Sequence, residues 1–389
     1  MGGGFCLKWE YGKRHRESTR RRRRLCLWVL LIAVVFIAGY VVIQSSSSYG
    51  FTWAIRNLPR KFPLDFTNTP TNIENAPVKT ELDSKESSRS EFLMDTFVSI
   101  RAVGLNPEHA IQAAFDEMHE IESLMSRHIP DSDVSRINQA AGGDPVRVND
   151  ETFHVVEEAI RWADLTQGAF DITIGPLMDV WGFGGENPTV PTVEEIEQAR
   201  ALVGWDLVEL DSENRTVRLP MQGMSIDLGG IAKGYAALKG AQALSECGIS
   251  HALIDAGGNI VTIGSRPDGE PWQIGIRDPR GESMNDTVGP TLSVANHAVA
   301  TSGDYERFFE HDGKRYHHIL DPKIGMPVEM VRSVTVLAED ALCADMLSTA
   351  VFVLGPDEGI KFVETLEGIS AMIVDSAGNT IFSTGFNEM

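Results

Sequence analysis

Cysteine and positive charge are both scarce in this chain, and each shortage removes a class of protein. Four cysteines in 389 residues are too few for a disulfide framework. Cys6 and Cys26 lie in the N-terminal region, and Cys247 and Cys343 read as two buried thiols rather than a pair. Only 34 Lys and Arg stand against 55 Asp and Glu, a formal net charge of -21, which argues against a nucleic-acid partner. No internal repeat is present, so repeat architectures are excluded.

Basic residues are concentrated at the front. Nine Lys and Arg face two acids before Leu25, a surplus of seven, so the remainder carries -28. Leu25 to Ile43 then runs 19 residues without a charge. At ~1.5 Å per residue it nearly crosses a hydrocarbon core of about 30 Å. Arginines precede this run and none closely follows it, which puts the N-terminus in the cytoplasm. The expectation is an uncleaved signal anchor in a bacterial inner membrane, with the catalytic part on the periplasmic side. Residues 1–24 would be a cytoplasmic arm and 25–43 the span. A cleaved signal peptide and a twin-arginine export signal are the rival readings, although no A-x-A site stands out. Lipoprotein processing is disfavoured, because Cys26 lies at the wrong end of the apolar run.

Residues 44–90 read as a linker. They open with four serines after Gln44 and carry Pro59, Pro63, Pro70 and Pro77, a composition that buries too little apolar surface to fold alone. Residues 91–389 read as one folded region. A strand is expected over Phe92–Val103, followed by a helix capped at Asn106-Pro107. Further helices are expected at Glu151–Ala163, Val193–Leu202 and Ala341–Leu354, the last stopped by Gly355. Strands are expected at Ala252–Asp255, Trp272–Ile276 and Ser333–Leu337. Strands and helices alternate without a βαβ rhythm, which favours an α+β fold over a doubly wound sheet.

The stretch Asp227-Leu-Gly-Gly-Ile-Ala-Lys-Gly-Tyr-Ala236 concentrates glycines and a lysine. Glycine lets backbone N–H groups approach an anion, and Lys233 adds a point charge suited to phosphate. Asp345 and Thr349 are four apart on a predicted helix, with Ser348 beside them. Their oxygens suit a hard cation such as Mg²⁺, while the plain alternative is an N-terminal-turn aspartate and a threonine bonded to its own backbone. His317 and His318 precede a strand end, and a histidine there serves as a general base or as a satisfied structural residue. The aromatic run around Trp181 stacks on a flat ring or packs as core. Asp255-Ala-Gly-Gly-Asn259 reads as a tight glycine turn.

Taken in order, these segments resemble one family. Met94-Asp-Thr96, SRHIPDSDVSRIN (126–138), GAFDITIGPL (168–177), DLGGIAKGYA (227–236), DAGGN (255–259), ATSGDYERFF (300–309), HHILDPKIGMP (317–327) and ADMLST (344–349) look like the ApbE family of FAD:protein FMN transferases. The resemblance spans about Phe92 to Phe386. It implies a single α+β domain that binds FAD as substrate and uses Mg²⁺ to move FMN onto a threonine hydroxyl, releasing AMP. The implied acceptors are extracytoplasmic segments of membrane redox proteins.

By the same resemblance, Asp345 and Thr349 would hold the metal with the Gly230 carbonyl, assisted by Ser348. Asp227 and Lys233 would contact FAD, and Met94, Ala169, Phe170 and Asp171 would line the flavin region. His318 and Ile319 would lie near the pyrophosphate or ring, with His318, or Asp304 nearby, as base. Three positions depart from the family pattern. Asp95 stands where glycine is common, Leu238 where aspartate is, and His128 where an aromatic residue usually stacks on flavin. Two other activities fit the same cleft: an Mg²⁺-dependent FAD pyrophosphatase giving FMN and AMP, and a flavin-binding protein without catalysis.

Overall fold

Eight strands of the main sheet follow one another in space in the order they occur along the chain, every neighbouring pair antiparallel. The computed structural model describes residues 84–386 other than 184, 186, 187 and 284. The predicted basic arm, membrane span and most of the linker lie outside the described residues. Among the described residues, no helix is long and apolar enough to cross a membrane.

The main-sheet strands are β1 (Lys85–Leu93), β2 (Thr96–Gly104), β3 (His251–Ala256), β4 (Asn259–Ile263), β5 (Ala298–Gly303), β6 (Val331–Ala338), β7 (Ser370–Asp375) and β8 (Thr380–Phe382). An all-antiparallel sheet with helices gathered on one face is the α+β arrangement the sequence predicts. β1 begins at Lys85, inside the segment assigned to the linker, and corrects that boundary. Its residues KESSRSE are mostly exposed, so no apolar alternation marks the strand, and backbone pairing with β2 holds it.

Leu93 pairs with Thr96, so β1 and β2 are joined by a two-residue turn. Met94 and Asp95 both adopt left-handed conformations there, with φ of 54° and 58°. A primed turn demands this geometry, which glycine enters freely and aspartate tolerates. The substitution of Asp95 at a position where glycine is common is therefore accommodated by the turn.

Among the described residues, seven α-helices accompany the sheet: α1 (Pro107–Met125), α2 (Asp133–Gln139), α3 (Asp150–Leu165), α4 (Gly175–Trp181), α5 (Val193–Arg200), α6 (Ala232–Glu246) and α7 (Ala341–Val363). Pro107 opens α1 as expected, but Asn106 makes no side-chain cap. Gly355 breaks α7, with φ of 77°, and Pro356 starts a second segment after the predicted stop.

α1, α6 and α7 cover one face of the sheet, against buried Ile100, Ala102, Ile254, Ala256, Ala298 and Ala300. The pair Trp272–Ile274 and Leu292–Val294 covers the other, closing a second core with Val299, Leu337, Met372 and Phe386. Cys343 is buried but Cys247, at the end of α6, is exposed, which corrects the reading of two buried thiols; both are free.

Small residues let α6 lie between α1, the sheet and α7. A Cβ added to Gly234 would lie 2.3 Å from the Ala341 carbonyl oxygen and 2.6 Å from Asp345 Cβ. Gly234→Ala is therefore expected to force these helices apart and cost about 1–3 kcal/mol. Urea unfolding of the folded region measures the loss.

Candidate active site

α6 starts without a local side-chain cap, since Ile231 offers none. Its third residue, Gly234, instead donates its N–H to Asp345 Oδ2 at 2.8 Å. A carboxylate from α7 thus caps α6, where the helix dipole favours negative charge. Asp345 is only 3 % exposed, and among the described residues no Lys, Arg or His forms an ion pair with it. A buried carboxylate without a cation is costly unless one is supplied.

Three hydroxyls collect beside it. Ser348 donates to the Asp345 backbone carbonyl at 2.7 Å, and Ser302 of β5 lies 2.7 Å from the Ser348 hydroxyl and 3.2 Å from that of Thr349. The back-bond of Ser348 is the plain reading of a helix hydroxyl, while Ser302 and Thr349 give the cluster a wider oxygen surface. Gly230 approaches the same point. A Cβ there would lie 3.3 Å from Thr349 Oγ1 and 3.2 Å from Phe170 Cε2. Residues 170, 230, 302, 345, 348 and 349 therefore share one site. No group of three His, Cys, Asp or Glu side chains with metal-ligand geometry occurs among the described residues. One carboxylate with hydroxyl and carbonyl oxygens is a donor set for a hard cation that keeps several waters, and the residues fit Mg²⁺ in that sense.

The 226–233 stretch is held from the segment that follows α1. Asn138 pairs with the Ile226 backbone in both directions, at 2.9 and 2.7 Å. Arg127 reaches Asp227 at 3.1 Å and Asp179 at 2.7 Å. Burial by itself would lower the Arg127 pKa, but the two carboxylates outweigh it and hold the pKa above its ordinary value. Asp227 uses its other oxygen for the Gly229 N–H at 2.8 Å, and Lys233 Nζ donates to the Gly229 carbonyl at 3.0 Å.

Asp171 is bonded within its own loop and to the segment at Trp205. One oxygen accepts from the N–H and hydroxyl of Thr173 and the other from the Trp205 N–H, while burial pushes its carboxyl up despite these bonds. It shapes the loop that presents Ala169 and Phe170, both nearly buried. Trp181 is core: its ring stacks on Phe183 with centroids 5.7 Å apart, lies 5.5 Å from the tilted Tyr316 ring, and donates to the Gly325 carbonyl at 2.9 Å.

His318 is half-buried. Its backbone N–H and its Nδ1 both meet the Arg307 carbonyl, at 3.0 and 3.2 Å. Nδ1 accordingly carries the proton and Nε2 keeps a lone pair. Burial first, then the charges of Arg307, His317 and Lys233, push the His318 pKa down to about 3. The Arg307 guanidinium also lies 3.6 Å from Asp95, which ties the Met94 turn to this histidine. Met94 donates its own N–H to Glu122 at 2.6 Å. Ile319 is buried beneath, its N–H on His317 Nδ1 at 3.3 Å.

Asp304 is not free to act as base. Arg280 binds both of its oxygens, at 2.7 and 2.5 Å, and the pair faces a different cavity of about 260 Å³ lined by Lys314, Arg315 and Arg332. His128 is exposed. Sequence reasoning missed Arg127, Asn138, Ser302 and Arg307. All four stand inside motifs it singled out, but only the fold shows where their side chains reach.

An antiparallel α+β domain thus brings a glycine–lysine loop against a buried carboxylate, capped by one backbone N–H, and a cluster of hydroxyls. The chain belongs to the ApbE family, whose model matches residues 94–373. It is 38 % identical over 279 residues to the FAD:protein FMN transferase of Vibrio cholerae, covering 71 % of this chain and 82 % of that protein. It is 33 % identical over 308 residues to the FAD:protein FMN transferase of Treponema pallidum, covering 75 % and 84 %. The crystal structure of the ApbE protein from Thermotoga maritima superposes with a TM-score of 0.71 at 39 % identity, covering 78 % of this chain and 99 % of that one.

The depressed His318 pKa has a stability consequence. Between an unfolded value of about 6.5 and the folded value the unfolded chain binds more protons, so stability falls as pH drops through that window. In His318→Asn, the Tm measured from pH 7 down to pH 4 is expected to fall less steeply than in the wild type.

Proposed function

We propose that this protein is an FAD:protein FMN transferase that moves the FMN half of FAD onto a threonine hydroxyl of an acceptor protein and releases AMP. The observation that carries the reading is the meeting of Gly230 with Thr349, within 3.3 Å of an added Cβ. It joins the loop bearing Lys233 to the helix bearing Asp345, so one diphosphate reaches both.

Asp345 and Thr349, with the Gly230 carbonyl and help from Ser348, would hold Mg²⁺. When bound, the ion supplies charge neutralisation at the diphosphate oxygens. Lys233 adds a fixed cation at the same loop. Phosphoryl transfer is governed mainly by positioning and charge stabilisation, and a strongly acidic chain needs both locally.

His318 Nε2 takes the threonine proton as the hydroxyl oxygen bonds to the FMN-side phosphorus. The bond from that phosphorus to the bridging oxygen breaks, and AMP leaves with the electron pair. Arg307 fixes the tautomer through its carbonyl. A pKa near 3 keeps the imidazole unprotonated at neutral pH. The negative charge of bound FAD raises its basicity in the complex.

We place the catalytic part on the extracytoplasmic side of a bacterial inner membrane, anchored by residues 25–43, with redox-protein segments as acceptors. The basic arm before an uncharged run of 19 residues supports this. Sedimentation of the full chain with membranes, lost on deleting residues 1–43, is the expected result.

The function is tested by incubating the protein with FAD, Mg²⁺ and a flavin-acceptor domain carrying the reactive threonine. A covalently fluorescent acceptor plus AMP is expected. Free FMN without labelling would make the protein a pyrophosphatase, and unchanged FAD a carrier. A Mg²⁺-dependent rise in Tm is expected for the wild type, and Asp345→Ala is expected to remove it and to abolish labelling. The pH profile of kcat/KM for FAD is expected to lack a histidine limb near pH ~6.5.

A further inference from the structure

Arg127 lies outside every role assigned above to nucleotide, metal or base, yet it occupies the point where two carboxylates face the glycine–lysine loop. Its side chain is 15 % exposed, with Asp227 18 % exposed and Asp179 62 % exposed. One guanidinium nitrogen serves each carboxylate, at 3.1 and 2.7 Å. Asp179 and Asp227 are thus bridged by a single guanidinium group. The residue is itself anchored, because its backbone carbonyl accepts the Ser135 hydroxyl of α2 at 3.1 Å.

The chain of contacts runs from Arg127 through Asp227 Oδ2, then from Asp227 Oδ1 to the Gly229 N–H, and from the Gly229 carbonyl to Lys233. Gly230, next along, is the residue that meets Thr349. Two consequences follow from removing the guanidinium. The Asp227 side chain loses the partner that fixes its rotamer, and two like charges are left beside a site meant for a diphosphate.

Resting on the function proposed above, we infer that Arg127 is a positioning residue that sets FAD affinity, holding Asp227 against the Gly229 turn and cancelling the Asp179–Asp227 charge that would repel the nucleotide. It touches neither phosphate nor flavin. Its effect is on the binding step, and the reacting groups stay in place without it. Lysine at this position reaches one carboxylate as a point charge and keeps only part of the effect.

The test is FAD affinity by flavin fluorescence, without acceptor, alongside labelling rate at saturating FAD. Arg127→Ala is expected to raise the FAD Kd roughly tenfold while leaving kcat within about twofold. Raising salt from ~0.05 to ~0.5 M is expected to tighten FAD binding by the variant severalfold, because salt screens repulsion, and to change the wild type little. Adding Asp179→Asn to Arg127→Ala is expected to recover part of the lost affinity, and Arg127→Lys to fall between variant and wild type. A merely structural role would move neither the salt slope nor the Asp179 rescue. An Arg127→Ala protein with wild-type affinity, or one whose loss is insensitive to both salt and Asp179→Asn, overturns the inference. If Arg127→Ala fails to fold, Arg127→Lys and its salt slope decide the matter. Wild-type protein that binds no FAD defeats the functional reading itself.

Discussion

The single hydrogen bond from the Gly234 N–H to the Asp345 carboxylate is the constraint around which the rest is arranged. It requires the first turns of α6 and α7 to touch, and only a residue without a side chain at 234 permits that contact. The contact brings the loop before α6 onto the hydroxyls of α7 and β5. It also places a carboxylate in the interior with a helix N-terminus as its only compensation among the described residues. A half-neutralised buried charge is poorly stable as a structural device and well suited to capturing a cation.

Electrostatics elsewhere follow from the acid excess of the whole. A chain of net charge -21 does not attract a dinucleotide diphosphate through its general field. Positive charge is placed instead by individual contacts: Lys233 on the Gly229 carbonyl, Arg127 between two aspartates, and the Arg307 guanidinium beside Asp95. Burial first, then Arg307 and Lys233 among these cations, keep His318 neutral. Two of the cations that offset the acid excess therefore also hold the imidazole unprotonated.

Much of this was legible in the sequence where a residue's role is local. Helix periodicity placed α1, α3, α5 and the first part of α7 near their observed ends, and the ordered motifs marked the loops that converge. What was illegible depends on distance along the chain. Asp304 reads as a plausible base until Arg280, 24 residues away, is seen to hold both its oxygens. Nothing local shows that Asp171 also bonds the Trp205 N–H, 34 positions further on. β1 is invisible to pattern because an edge strand exposed on both faces has no apolar period. Arg127 carries no signal at all, since its meaning lies in Asp227, 100 positions further on.

The order of strands has a last consequence. β2 and β3 are partners in the sheet, yet α1 to α6 and the whole glycine–lysine loop lie between them in the chain. The part of the site that carries Phe170, Gly230 and Lys233 is thus an insertion between two neighbouring strands. Bringing β2 to β3 across so long a loop carries an entropy cost that grows with the logarithm of its length. A compound that binds only the folded cradle would offset part of that cost and act as a pharmacological chaperone for the entire sheet.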